Sequence, residues 1–272
     1  MRALVLAGGG MRGAYTTGAL HTMAEMGLSF DGVYGTSSGG ANAAWFVAGQ
    51  TAESVKSWTY AQDPRIVNYR RFLLRSGPLL DLDALLFHVY PNELGFDAKK
   101  VATSRTRVEV TATDVDTGRV RFLDLGRVPV LKALRATSAL PFATTGPVAM
   151  NGRRYLDGGL TCPVPLARAM HDGATDITVI LSRPAGPRRT EPAALAWYFT
   201  RLYPALGVAA RSHQVMIDDS AALALGPPHG VTVRVLRPSR PNGLHRMSRD
   251  ATLIEAGIRQ GEAEARAFFA AS

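Results

Sequence analysis

The sequence predicts an α/β protein whose mostly parallel sheet is covered by helices on both faces. Two strand–turn–helix units open the chain. Ala3-Leu4-Val5-Leu6-Ala7 passes through Gly8-Gly9-Gly10-Met11-Arg12-Gly13 into a helical stretch, and Phe30-Asp31-Gly32-Val33-Tyr34 passes through Gly35-Thr36-Ser37-Ser38-Gly39-Gly40 into another. Further apolar runs at 105–114, 177–181 and 231–236 alternate with segments of helical periodicity. The chain has 272 residues, 46% hydrophobic and 19% charged, enough to bury a core and far from a disordered composition. It reads as one domain over 1–272, with a helical cap inserted at 63–96 and a helical C-terminal tail.

The elements follow in order. Residues 2–7 form a buried strand and 14–26 a helix, which Gly27 stops. Residues 30–34 form the second strand and 38–49 the next helix, whose Ala41, Ala43 and Ala44 allow close packing. Residues 51–60 form a short helix. In 63–96, Arg70, Arg71 and Arg75 mingle with Phe72, Leu73, Leu74, Leu79, Leu80, Leu85, Leu86, Phe87 and Tyr90. The mixture fits either core-facing helices with solvated arginines or a cap that touches lipid. Strands resume at 105–114 and 118–125. A helix over 128–137 leads to Ser138-Ala139-Leu140-Pro141, and 148–155 form a hairpin turning on Asn151-Gly152. Residues 177–181 and 231–236 are buried strands, 191–225 are largely helical with a break at Pro204, and 253–269 form a terminal helix. The aromatic stretch Trp197-Tyr198-Phe199 joins the cap as a candidate lipid contact.

Composition narrows the function classes. Net charge is +9, and 27 of the 31 basic residues are arginine. Such a field suits an anionic phospholipid surface, although an arginine-rich composition produces the same excess with no function attached. The arginines are scattered and no nucleic-acid-binding signature is present, so no nucleic-acid partner is expected. A single cysteine, Cys162, excludes an internal disulfide and fits a reducing compartment. Flanked by Thr161 and Pro163, it reads as packing and not as a nucleophile. No segment approaches the length of a membrane span and the N-terminal apolar run is already needed as a strand, so a cytoplasmic enzyme, at most peripheral at a membrane, is expected. No metal-ligand cluster stands out, and neither metal nor cofactor is expected.

The chemistry lies in the glycine turns. Gly35-x-Ser37-x-Gly39 fits a nucleophile elbow, a tight strand-to-helix turn that lifts a serine hydroxyl above a sheet. The preceding turn, residues 8–13, offers the free backbone N–H groups that a developing oxyanion needs. It also spells Gly8-x-Gly10-x-x-Gly13, the dinucleotide-binding pattern. That reading requires an acid at the far end of the second strand, whereas Asp31 stands at its start. A phosphate-loop reading fails because Ala14-Tyr15 replaces Lys-Ser/Thr.

A serine hydroxyl needs a base. His21, His88, His171, His213, His229 and His245 all lack a catalytic-loop context, and only His229, in a loop entering a strand, stays a candidate. Asp157-Gly158-Gly159 is the better one: the aspartate follows a hairpin, and the glycines let another segment approach closely. Asp-Gly also caps ordinary turns, so this motif alone leaves the choice open.

Together, Gly8-Gly9-Gly10-Met11-Arg12-Gly13, Gly35-Thr36-Ser37-Ser38-Gly39-Gly40 and Asp157-Gly158-Gly159, with Ser138-Ala139-Leu140-Pro141 before the aspartate, resemble the patatin-like phospholipase family over about residues 1–182. The tail resembles bacterial stand-alone members. The resemblance implies a three-layer α/β/α sandwich and a Ser-Asp dyad without a catalytic histidine, acting on acyl esters of phospholipids or glycerolipids without calcium. Ser37 then matches the nucleophile and Asp157 the base. The N–H groups of Gly9, Gly10 and Met11 match the oxyanion hole, and Arg12 holds that loop. The alternatives are a histidine-dependent esterase or acyltransferase and a nucleotide-binding module on residues 8–13.

Overall fold

Alternating side chains on the first strand sort the helices into two layers. The computed structural model describes residues 1–186, 200–207, 220 and 222–271. In β1 (Arg2–Leu6), Ala3 and Val5 face one way, against Leu166 and Ala169 of the short helix α8 (Leu166–His171). Leu4 and Leu6 face the other, in a larger core with Tyr15, Ala19, Leu20 and Met23 of α1 (Gly13–Glu25) and Ala43, Ala44 and Trp45 of α2 (Ser38–Val47). A sheet buried on both faces needs such continuous apolar runs. The result is a three-layer α/β/α sandwich.

Among the described residues the sheet has eight strands. Its order is β5-β6-β3-β2-β1-β7-β8, from Val148–Met150, Arg153–Asp157, Arg107–Asp114, Gly32–Thr36, β1, Asp176–Ile180 and Thr232–Leu236. β4 (Val120–Asp124) lies antiparallel on the opposite edge of β3. β3, β2, β1, β7 and β8 run parallel. β6 takes over the edge of β3 where β2 ends: Thr36 pairs with Thr111, and Asp157 pairs with the next residue, Ala112. One strand of the sheet thus sets the ends of two others side by side.

The C-terminal helix α9 (Ala251–Ala270) seals α1. Their backbones come so close that a Cβ at Gly18 would lie 2.0 Å from the Ile258 carbonyl oxygen, and one at Gly261 2.0 Å from that of Tyr15. Only glycine permits this crossing.

Some boundaries differ from the sequence expectation. β2 starts and ends later than 30–34, because pairing with β3 carries the strand through Gly35 to Thr36. β8 is the sheet edge and only partly buried, ending in buried Leu236. α6 (Ala98–Ala102) and α8 were not legible as helices; each spans less than two turns. Between α3 (Thr51–Ser57) and α6, residues 63–96 contain α4 (Tyr69–Leu73), α5 (Leu82–Ala84) and a π-helical stretch, Leu85–Glu93. Leu79, Leu82, Leu86, Val89 and Tyr90 are buried, with Tyr90 against Trp45 at 4.9 Å, whereas Leu73 and Leu74 are exposed. Part of this segment is thus core-facing, as one sequence reading expects, while Leu73 and Leu74 stand outside the core. Residues 197–199 lie outside the described residues, as does most of 191–225. Among the described residues no helix is long and apolar enough to cross a membrane.

Candidate active site

Ser37 follows Thr36 and Asp157 ends β6, so the adjacent pairings on β3 bring the two together. Ser37 Oγ donates to Asp157 Oδ2 at 2.7 Å, and both residues are buried. Ser37 has φ 55° and ψ −125°, a backbone region that costs a non-glycine residue roughly 1–3 kcal/mol. Three bonds hold it there: its N–H donates to Thr137 Oγ1 at 2.9 Å, and its carbonyl accepts from Gly40 and Ala41 at 2.8 and 3.1 Å. The elbow glycines have no room for a side chain. A Cβ at Gly35 would sit 2.6 Å from the Gly39 carbonyl oxygen, and one at Gly39 2.6 Å from that of Leu6.

Asp157 is fixed from both sides. Its N–H donates to the Ala139 carbonyl at 2.9 Å, within the Ser138-Ala139-Leu140-Pro141 segment, and its carbonyl accepts from Thr113 Oγ1 at 2.8 Å. Gly159 N–H donates to Oδ1 at 2.7 Å, which leaves Oδ2 to the serine. Gly158 presses on β3 so closely that a Cβ would meet the Thr111 carbonyl oxygen at 2.3 Å. Burial pushes the Asp157 carboxyl up to about 6, against the opposing pull of the Ser37 hydroxyl, the Gly159 N–H and the charge of Arg246.

The glycine loop lies beside the elbow. Gly8 N–H donates to the Pro163 carbonyl, and the Gly8 carbonyl accepts from Ser182 Oγ at 3.1 Å. Arg12 Nε donates to the Gly9 carbonyl at 3.3 Å, which agrees with a loop-holding part for this side chain. Gly13 opens α1 against Ser38. The Met11 N–H departs from expectation: it donates to the Arg246 carbonyl at 3.1 Å and is spent on holding the loop. The N–H groups of Gly9, Gly10 and Ser38 have no acceptor among the described residues. Gly10 has φ 57°, and a Cβ there would lie 2.5 Å from the Arg246 carbonyl oxygen, so glycine is required twice over. The Ser38 hydroxyl is buried beside Gly13 with no hydrogen-bond partner among the described residues.

The remaining candidates lie elsewhere. His229 is exposed in the loop entering β8, at the end of the parallel sheet opposite Ser37. His21 contacts Thr51, His88 and His171 are exposed, His245 Nδ1 accepts from Met247, and His213 lies outside the described residues. No described histidine hydrogen-bonds Ser37 or Asp157. Asp31 accepts the Arg2 N–H at the lower end of β2, far from the glycine loop's open face. Burial pushes the Cys162 thiol up to about 12, which keeps it protonated and unreactive. Among the described residues no group of three or more His, Cys, Asp or Glu is arranged to hold a metal ion. Thr137, Ser182 and Arg246 support the site without any local motif to announce them.

Comparison with known proteins identifies the family and the fold. The family model described as patatin-like phospholipase matches residues 4–170. The uncharacterized protein YjjU of Escherichia coli is 30% identical over 188 residues, covering 67% of this chain and 52% of that protein. An uncharacterized NTE family protein of Mycobacterium bovis is 28% identical over 232 residues, covering 82% of this chain and 59% of its own length. The chain thus spans little more than half the length of these relatives. The crystal structure of VipD from Legionella pneumophila shares the fold, with a TM-score of 0.54 at 11% identity, covering 99% of this chain and 67% of that one.

Proposed function

The chain belongs to the patatin-like phospholipase family of lipid acyl hydrolases, and from that premise we propose that Ser37 and Asp157 form a two-residue catalytic unit that cleaves acyl esters of phospholipids or glycerolipids through an acyl-enzyme. The observation that carries the reading is the buried 2.7 Å hydrogen bond between Ser37 Oγ and Asp157 Oδ2. The raised pKa of Asp157 also supports it: a carboxyl near 6 is ionised at neutral pH and is a stronger base than a solvated carboxylate.

In the proposed cycle Asp157 takes the Ser37 proton as Oγ attacks the ester carbonyl. The tetrahedral oxyanion forms against the unspent N–H groups of Gly9, Gly10 and Ser38, which are fixed before the reaction and need no reorganisation. The alcohol leaves with the proton from Asp157; a water, deprotonated by the same carboxylate, then attacks the acyl carbonyl, and Ser37 Oγ leaves with that proton as the fatty acid is released. The positive charge of Arg246 stabilises the ionised Asp157 between steps.

A fluorophosphonate probe tests the reading. Mass spectrometry is expected to find the label on Ser37, with labelling lost in Ser37→Ala and sharply reduced in Asp157→Asn. Label retained in Ser37→Ala would refute the assignment.

A further inference from the structure

Much of the exposed apolar surface of the described residues is concentrated in one short loop. Tyr69, Phe72, Leu73 and Leu74 are exposed within six residues, Leu73 at 77% and Leu74 at 68%. The loop is held out from the body at its base, where Val67 bridges Leu80 and Asn68 N–H donates to the Leu79 carbonyl at 2.9 Å. Arg71 braces it from inside, with Nε donating to the Pro78 carbonyl and Nη1 3.4 Å from Asp81. Arg75, at φ 53°, turns the chain back.

Charge on this cap is distributed unevenly. Its acids are each matched to an arginine: Asp63 and Glu93 to Arg65, Asp81 to Arg71, and Asp83 to Arg135. Arg70 and Arg75, which flank the exposed leucines, form no ion pair among the described residues. The tip therefore presents apolar side chains between two uncompensated cations, the combination that favours shallow insertion into an anionic lipid surface.

The tip is also tied to both halves of the site. On one side Phe72 and Arg75 face Phe142 and Thr144 across a shallow depression, and that loop continues from Ala139, which accepts the Asp157 N–H. On the other, the Arg249 guanidinium lies over the Tyr69 ring at 5.5 Å, three residues after the Arg246 carbonyl that fixes Met11.

We propose that the Tyr69–Arg75 tip is a membrane-contact site that seats the protein on an anionic bilayer, with Leu73 and Leu74 inserted and Arg70 and Arg75 on the headgroups. The proposal rests on the reading that Ser37 and Asp157 hydrolyse lipid esters, since it supplies the route from bilayer to serine.

The test is flotation of Ser37→Ala protein with phosphatidylcholine vesicles, with and without phosphatidylglycerol. In that background Arg70→Gln/Arg75→Gln is expected to weaken binding to anionic vesicles roughly 30-fold at low salt, about 1 kcal/mol per arginine. Leu73→Ser/Leu74→Ser is expected to weaken it at least about tenfold with no change in Tm. The remote pair Arg105→Gln/Arg119→Gln, equal in charge change, is expected to have only a small effect. Equal flotation of the leucine variant and its parent, or an effect of the remote pair as large as that of Arg70 and Arg75, overturns the proposal. So does a self-associating parent that the leucine change turns monomeric while vesicle binding is absent, since the tip would then be a protein–protein contact. Active protein separates the two readings. Vesicle binding that depends on the tip, in a protein that cleaves no ester, sinks the dyad and keeps the docking site. Cleavage of a soluble short-chain ester without vesicle binding does the reverse.

Discussion

At the elbow and at the cap tip the chain uses space in opposite ways. Around Ser37, glycine backbones touch carbonyl oxygens, a strained residue is held by three hydrogen bonds, and the acid beside it is sealed from water. Around Leu73 and Leu74 nothing is packed, and large apolar side chains stand in solvent. The first region stores free energy in strain and in a buried charge. The second leaves unspent the free energy that burying two leucines would release. The contrast teaches where each region finds its contacts: Ser37 and Asp157 are held by partners within the chain, while Leu73 and Leu74 are left exposed.

Substitutions sharpen or break that contrast, beginning with the largest effect. Ser37→Ala should lower turnover by about 10⁴-fold or more with Tm almost unchanged. Turnover within tenfold of the parent would place the chemistry elsewhere. Asp157→Asn should lower turnover about 10³-fold, and its effect on stability runs the other way. Because folding raises the Asp157 pKa from 3.8 to about 6, the stability it contributes is fully present below pH 4 and is lost as pH rises through 6. Removing the charge should therefore raise stability at pH 7–8 by about 3 kcal/mol, with the gain vanishing near pH 4 in denaturant titrations. Parent activity should fall with decreasing pH through about 6; a flat profile down to pH 5 would argue against Asp157 as the base.

Gly158→Ala should destabilise by roughly 3 kcal/mol, since the new methyl group meets the Thr111 backbone as well as its hydroxyl and the backbone cannot move aside. Thr137→Val keeps the shape but strips the acceptor from the Ser37 N–H, at a cost of about 1–2 kcal/mol in stability and a matching loss in turnover. At the tip, Leu74→Ser should leave stability within about 0.5 kcal/mol and hydrolysis of a soluble ester unchanged. A marked fall in Tm there would mean the tip is packed after all, and the contrast would collapse.

What the sequence disclosed tracks how local each constraint is. Ser37, Gly35 and Gly39 are legible because a tight turn needs small residues at fixed offsets, and Asp157 because its glycines follow at once. Thr137, Ser182 and Arg246 are not, since each reaches the site from a distant segment as an ordinary-looking residue. For the same reason Met11 was expected to offer its N–H to an oxyanion: only the fold brings the Arg246 carbonyl to it. In the cap, alternation could not tell Leu73 and Leu74 from Leu82 and Leu86, because the segment folds back at the Val67–Leu80 bridge and its period restarts there. The α1–α9 crossing was equally hidden, as Gly18 and Gly261 have meaning only as a pair.

The bond from Met11 to the Arg246 carbonyl joins the beginning of the chain to its far end, and so it orders events in time as well as atoms in space. In order of synthesis the glycine loop and the serine precede the aspartate, and the carbonyl that fixes the loop follows both, just ahead of the helix that seals α1. A polypeptide that stops between residues 157 and 246 carries Ser37 and Asp157 but has neither the clamp on the loop nor the cover on the first helix. The contacts that fix Gly10 and Met11 and close over α1 therefore form only once residues 246–270 are in place.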